Sequence, residues 1–163
     1  MRVHSDPFYL EIQKTIAESG RQVMAIGPGD NPLKQPPFFY TIGNHFQGLP
    51  ELLLIGPWEP KATCALMNAL SAQMLERKGP FGNGELVNLG GVHSLQVWVT
   101  TVIAKLEYTL QATEFYGHNN YAVQQVVMPD PKGRYPGDKR LHKRYRVPLL
   151  RATSDIMQSL WLH

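Results

Sequence analysis

Apolar residues recur at helical spacing in four stretches of the chain. In the first, an apolar residue at every fourth position follows Ser5-Asp6-Pro7, a capping side chain with a proline in the first turn, which predicts a helix over residues 6–19. The clearest pattern covers residues 60–78 and ends at a glycine. Residues 105–115 and 148–161 carry shorter patterns, and we expect the last to be a short helix packed on the domain.

Short runs of β-branched, aromatic and aliphatic residues alternate with these helical patterns and are bounded by glycine and proline. Residues 86–103 are typical of a hairpin, because Gly90-Gly91 is a turn dipeptide. The predicted strands are residues 22–26, 38–43, 51–55, 95–102 and 122–128. Since helices and strands are interleaved and a hairpin is present, we predict an α+β domain with a mixed or antiparallel central sheet and helices packed on it.

The composition favours one packed domain over residues 1–163, with 43% hydrophobic residues. The single cysteine, Cys64, excludes an internal disulfide and therefore a disulfide-stapled secreted scaffold. The chain begins with no apolar run of signal-peptide length and contains no run of the roughly 20 apolar residues that span a membrane. We therefore expect a cytoplasmic protein with no membrane partner, in a host cell or in a virus-infected one.

Positive charge is concentrated toward the carboxyl end. The net charge is +3, and half of the 16 lysines and arginines fall within residues 132–151, where Asp138 is the one acidic residue. Such a segment attracts phosphate groups or acidic partners. The more common explanation is an ordinary solvated surface.

Several short motifs occur in a characteristic order. They are PPFFYTIG at 36–43, LPEL at 49–52, FYG at 115–117, QVVMPD at 125–130 with Gly133 and Pro136 after it, and VPLL at 147–150. In these motifs the chain resembles the bacterial and phage proteins grouped as domain of unknown function 4262, over about residues 22–150. It departs from the family pattern at Met128 and Gly137, where the family commonly has an aromatic residue, and in the basic stretch that follows. The resemblance supports the fold and implies no particular activity.

The sequence lacks the motifs of several common kinds of binding and catalytic site. The histidines, at positions 4, 45, 93, 118, 142 and 163, show none of the spacings of a metal site, and Cys64 has no cysteine partner. The loop GPGD at 27–30 lacks the lysine and the serine or threonine of a phosphate-binding loop, and Pro28 removes a backbone donor. No G-x-S-x-G elbow is present. We therefore expect no bound metal and no cofactor.

Two polar clusters form the candidate site. The first lies at a strand end, where sites are usually built. The second combines aromatic rings with hydrogen-bonding side chains, which suits a pocket that stacks on a ring of the ligand and hydrogen-bonds to its edge. The candidate catalytic residues are His45, His118 and Glu51, since histidine titrates near neutrality and Glu51 stands at a strand start. The candidate ligand-binding residues are Tyr40, Thr41, Tyr116, Asn120, Tyr121, Gln125, Arg134, Lys139 and Arg140. Each also has a purely structural explanation, as a core aromatic, a strand former, a turn residue or a solvated charge.

Three functions stay open at this point. The first is binding of a small phosphorylated or nucleotide-like ligand, for example a nucleotide signal, with or without metal-independent hydrolysis by a histidine acid and base. The second is a non-enzymatic protein-interaction module that docks the basic segment 132–151 on an acidic partner. Nucleic-acid binding is the weakest, because no DNA- or RNA-reading motif is present. The sequence leaves a homo-oligomer open.

Two expectations about geometry follow from the candidate residues. Glu51 should be partly buried and hydrogen-bonded to Thr41, Tyr40 or a loop N–H, because an unpaired buried carboxylate costs several kcal/mol, roughly. The loop around His45 and the segment 116–125 should line one cleft, with Arg134, Lys139 or Arg140 at its rim, since a phosphorylated ligand needs both a cationic rim and a pocket.

Overall fold

The structure is a computed structural model and describes residues 3–152. The helices are α1 (Pro7–Ser19), α2 (Pro60–Arg77), α3 (Val102–Tyr108) and α4 (Leu110–Tyr116). The strands are β1 (Gln22–Ile26), β2 (Phe38–Ile42), β3 (Glu51–Ile55), β4 (Glu85–Val87), β5 (Leu95–Val99) and β6 (Val123–Val127). Short 3-10 turns cover Asn44–Gln47 and Lys143–Tyr145.

The strands form one sheet in the order β1-β2-β3-β6-β5-β4. β3 and β6 are parallel, with Glu51 opposite Val123, and the other neighbouring pairs are antiparallel. The prediction of an α+β domain with a mixed central sheet is confirmed. The parallel pair matters for function, because it brings the amino ends of two strands that are distant in sequence to the same edge of the sheet.

Both faces of the sheet are covered by helices. Successive side chains of a strand point to opposite faces, so Leu52 and Leu54 of β3 pack toward α2. Leu53 and Ile55 pack on the other face, toward α1 and α4. β3 is buried along its whole length, which explains why its residues 52–55 are all apolar and do not alternate with polar residues.

The predicted helix over residues 105–115 is in fact two helices. The chain leaves helical geometry at Thr109 (φ −110°, ψ 46°), which separates α3 from α4. Thr109 is fully buried, and its hydroxyl donates to the carbonyl oxygen of Lys105 at 2.6 Å and lies 2.7 Å from the Tyr121 hydroxyl. A threonine hydroxyl that bonds its own backbone competes with regular helix, and here the tertiary contact with Tyr121 fixes the break.

The predicted carboxyl-terminal helix over 148–161 is not formed in its described part. Residues 148–152 contain no helix, and the remainder of the prediction lies outside the described residues. The side chain of Gln125 holds this stretch instead, donating to the Pro148 carbonyl oxygen at 2.9 Å and accepting from the Leu150 N–H at 2.8 Å. Within residues 3–152, no helix is long and apolar enough to cross a membrane.

Two leucines of α2 give a matched test of this packing. Leu70 is fully buried against the sheet, whereas Leu75 is 46% exposed. We expect Leu70→Ala to lower the free energy of unfolding by about 2–5 kcal/mol, because it leaves a cavity. Leu75→Ala should change it by less than about 1 kcal/mol. Urea denaturation of both variants measures the difference, and equal losses would contradict the assigned face of α2.

Candidate functional site

A carboxylate lies in the interior at the amino end of β3. Glu51 is fully buried and accepts hydrogen bonds on both oxygens, from the end of β2, from the following loop and from α4. The donors are Thr41 Oγ1 (2.8 Å), the backbone N–H of Gly43 (3.3 Å), Asn44 (3.2 Å) and His45 (3.0 Å), and the Tyr116 hydroxyl (2.5 Å). The expected hydrogen bonds to Thr41 and to loop N–H groups are present, Tyr40 is not a partner, and the burial of Glu51 is complete rather than partial. We call Glu51 and these donors the Glu51 cage.

The loop reaches the carboxylate because Gly43 adopts a conformation that other residues rarely take. Its φ is +124°, and a Cβ at this position would lie 2.7 Å from the Gly20 carbonyl oxygen. Only glycine permits both the positive φ and the close approach of the α1–β1 connection. This turn aims three successive backbone N–H groups at Glu51, an arrangement that favours an anion.

Burial and hydrogen bonding act on Glu51 in opposite directions. Removal from water is the larger effect and raises the pKa of the Glu51 carboxyl above its ordinary value, although the hydrogen bonds from Tyr116, His45, Thr41 and Asn44 lower it in part. The pKa of the Tyr116 hydroxyl is raised, first by burial and then by the neighbouring carboxylate. Tyr116 therefore stays protonated and donates, and the cage supplies a donor for each side of the carboxylate.

The cage places two histidines beside each other. His45 has its backbone N–H fixed by Glu51, and its ring centroid lies 5.1 Å from that of Tyr116 and 5.6 Å from that of His118. His118 follows α4 and stacks on Tyr116 with the centroids 5.8 Å apart. Burial, and then the charge of His118, lowers the pKa of the His45 imidazole. His45 is therefore neutral near pH 7 and can accept a proton.

A cavity of about 410 Å³ lies next to His45. It sits at the amino ends of β3 and β6 and the carboxyl end of β5, which the sheet order brings to one edge. Its walls are His45, Gly48, Leu49, Pro50, Pro80, Val99, Asn120, Tyr121, Ala122, Val123 and Gln124. Most of them are apolar, so the cavity suits a flat ring with a few polar atoms.

Three of the predicted site residues line this cavity: His45, Asn120 and Tyr121. The loop around His45 and the segment after α4 therefore do share a cleft, as expected. His118 touches the His45 ring but lines a neighbouring depression with Gly117 and Asn119. Glu51 and Tyr116 lie behind the wall and hold it in place.

Three other predicted ligand-binding residues belong to the core. Tyr40 is fully buried and its hydroxyl bonds to the Gln111 side chain. Thr41 is fully buried and donates to Glu51, and the buried Gln125 holds the stretch after residue 147. Their polar atoms are already paired inside the protein, so the prediction that they contact a ligand is not supported by their positions.

The cationic rim is also not where we expected it. Arg134, Lys139 and Arg140 do not line the cavity. They follow β6, whose five residues carry the chain roughly 17 Å away from the edge where the cavity lies. There the Tyr135 hydroxyl donates to the Ser94 carbonyl oxygen at 2.6 Å, at the opposite end of β5. Residues that are close in sequence but lie before and after a strand are at opposite edges of the sheet, which is why this prediction was wrong.

The sequence analysis missed the apolar walls of the cavity. Leu49 and Pro80 lie in two separate connections, Val99 is the last residue of β5, and none of the three carries a local signal of a site. They meet because β3 and β6 are parallel and β5 runs antiparallel to β6. A prediction of that pairing, rather than of any motif, would have found them.

The fold and the site together define an α+β domain in which a buried carboxylate cage supports a small surface cavity. The model of the family described as domain of unknown function (DUF4262) matches residues 15–142. The chain belongs to this family, as its motifs predict. Three of those motifs fall on the cage, since PPFFYTIG contains Thr41 and Gly43, LPEL contains Glu51 and FYG contains Tyr116. A search of the curated proteins and a search of the solved structures each found no match.

Removing the Tyr116 hydroxyl should destabilise the protein. Tyr116→Phe deletes a donor to the buried carboxylate, so we expect a loss of about 1–3 kcal/mol in the free energy of unfolding. Glu51→Gln should cost at least as much, because an amide N–H₂ would face backbone donors. Tyr145→Phe is the control, since its hydroxyl makes no hydrogen bond within residues 3–152 and its ring stacks on Trp58. Chemical denaturation measures all three, and a Tyr116→Phe loss no larger than the control's would contradict the cage.

The titration of His45 should depend on His118. We expect the His45 imidazole to titrate below the ordinary value of about 6.5 and to move back toward it in His118→Ala, because one cause of the lowered pKa is removed. A depressed histidine pKa contributes stability that is present above the unfolded-state value and is lost as pH falls through the folded-state value. NMR titration of the ring protons tests this, and a His45 pKa at or above the ordinary value would refute it.

Proposed function

We propose that this protein binds a small phosphorylated, nucleotide-like ligand in the cavity beside His45. The observation that carries the proposal is the cavity itself, where His45, Asn120 and Tyr121 meet on otherwise apolar walls. A cavity of about 410 Å³ is in the range of small-molecule sites. We expect the protein to act in the cytoplasm.

The residues that line the cavity provide apolar surface for a ring and polar groups for its edge. Leu49, Pro50, Pro80 and Val99 supply apolar surface for a planar ring. The side chain of Gln124 is occupied, because it donates to the Phe81 carbonyl oxygen at 2.6 Å and accepts from the Phe81 N–H at 3.2 Å. Asn120 and His45 are therefore the polar side chains that would recognise the edge of the ring.

The histidine pair supports hydrolysis of the bound ligand as part of the same proposal. Cleavage of a phosphodiester without a metal needs one base and one acid near the phosphorus. His45, held neutral, is suited to accept a proton from water, and the adjacent His118 is suited to donate one to the leaving oxygen. If the protein only binds its ligand, the same two side chains contribute affinity alone.

A second candidate is an interaction module that uses the basic segment 132–151. Most of its cations are exposed, and the structure pairs Arg140 with Asp138 at 2.9 Å as its one ion pair within residues 3–152. The segment is held on the domain by the stack of Tyr145 on Trp58. A fixed, exposed patch of positive charge supports docking to an acidic protein.

A thermal-shift screen with nucleotides and cyclic dinucleotides tests the first proposal. We expect at least one ligand to raise the melting temperature, and His45→Ala to weaken its binding at least ten-fold. The substitution keeps the backbone N–H that Glu51 uses, so the melting temperature of the free protein should change by about 2 °C or less. If the ligand is hydrolysed, His118→Ala should abolish product formation.

His93→Ala is the matched control, because His93 is an exposed histidine at the far end of β5. Binding lost equally in the control and in His45→Ala would contradict the site. If no nucleotide binds but an acidic protein is captured in a salt-sensitive manner that Lys143→Glu abolishes, the second candidate is correct instead.

A further inference from the structure

A second depression of about 420 Å³ adjoins the cavity beside His45. The two share one wall, and its residues are Val99, Asn120, Tyr121, Ala122 and Val123. Beyond this wall the depression is lined by Thr100, Val102, Lys105 and Asn119. The two depressions are therefore neighbours, and Lys105 is the one cationic residue among the residues that line them.

Lys105 projects from α3 onto the shared wall. Its Nζ donates to the Asn119 carbonyl oxygen at 2.6 Å and to the Tyr121 carbonyl oxygen at 3.0 Å. It also lies 5.1 Å from the centroid of the Tyr121 ring. An ammonium group has three donors, so these two hydrogen bonds fix its position and leave one donor unused.

Lys105 forms no ion pair with the described part of the chain. Within residues 3–152, no carboxylate lies within 4.0 Å of its Nζ. Partial burial makes such a charge costly and strengthens its attraction for an anion. Asn120 lines the same depression and lies in sequence between the two carbonyl partners of Lys105, and its side-chain amide is a hydrogen-bond donor.

We propose that Lys105 and Asn120 form an anion subsite that holds the phosphate group of the ligand whose ring occupies the cavity beside His45. This inference rests on the proposed function and adds to it where the charged end of the ligand binds. It assigns to Lys105 the role that the sequence suggested for Arg134, Lys139 and Arg140. A phosphate bound here makes charge-assisted hydrogen bonds, which are about twice as strong as neutral ones.

The competing explanation is that Lys105 only ties down the loop 119–121 through its two carbonyl partners. A structural role predicts no dependence on anions. Binding of inorganic pyrophosphate, a probe that carries no ring, therefore separates the two explanations and does not require that the cavity beside His45 binds anything.

The experiment is a titration with inorganic pyrophosphate followed by shifts of the backbone amide NMR signals. We expect saturable shifts at Asn119, Asn120 and Tyr121, at least ten-fold weaker binding in Lys105→Met, and nearly full binding in Lys105→Arg. Lys132→Met is the control, an exposed lysine of the basic segment whose loss should leave these shifts unchanged. Shifts confined to residues 132–146, or binding unaltered by Lys105→Met, would overturn the subsite.

If Lys105→Met fails to fold, Asn120→Ala takes its place, because it leaves Lys105 and its carbonyl partners intact. We expect pyrophosphate binding about three-fold weaker in this variant, and no change would count against the subsite.

Guanosine and guanosine 5′-monophosphate then separate the two proposals. Equal affinity for both at the His45 cavity leaves the proposed function standing without the subsite. Pyrophosphate binding that depends on Lys105, with no binding of either guanosine compound, leaves the subsite standing without the proposed function.

Discussion

The structure depends on the cost of removing one carboxylate from water. Glu51 is fully buried in the sheet, where an unpaired charge would cost several kcal/mol. The protein offsets this cost with donors from β2, from the loop after it and from α4. Because these donors belong to separate elements, satisfying the carboxylate fixes their positions relative to one another. Loss of any one donor therefore acts on the whole arrangement.

The same constraint builds the surface of the site. The loop that donates to Glu51 carries His45, and the helix that ends in the donor Tyr116 is followed directly by His118 and Asn120. The cage thus positions the cavity from behind, and His45 is the cage residue that also lines its wall. A buried polar network of this kind favours one arrangement over its alternatives, because partial satisfaction is costly. The polar residues that the sequence marks as catalytic divide accordingly into a supporting set, with Glu51, and a surface set, with His45.

Much of the fold could be predicted from local pattern. After Glu51, the strand at 51–55 is an apolar run (residues 52–55), and α1 begins at a capping aspartate whose side chain accepts from the Phe8 N–H at 2.8 Å. The break at Thr109 could not be predicted, because it depends on Tyr121, a residue that becomes a neighbour only in the folded chain. The role of Gln125 could not be predicted for the same reason, because its hydrogen-bond partners lie after residue 147.

The sequence by itself determined the fold class, the family motifs and the burial of Glu51 with its partners at the end of β2. These follow from side-chain periodicity and from the rule that a buried charge must be paired, both of which act over short stretches of chain. Only the tertiary structure decided which charge lies near the cavity. The pairing of β6 with β3 and β5 places Lys105 beside the cavity and carries Arg134, Lys139 and Arg140 beyond the far end of β6. Strand order is set by long-range packing of the whole sheet, and no local pattern encodes it.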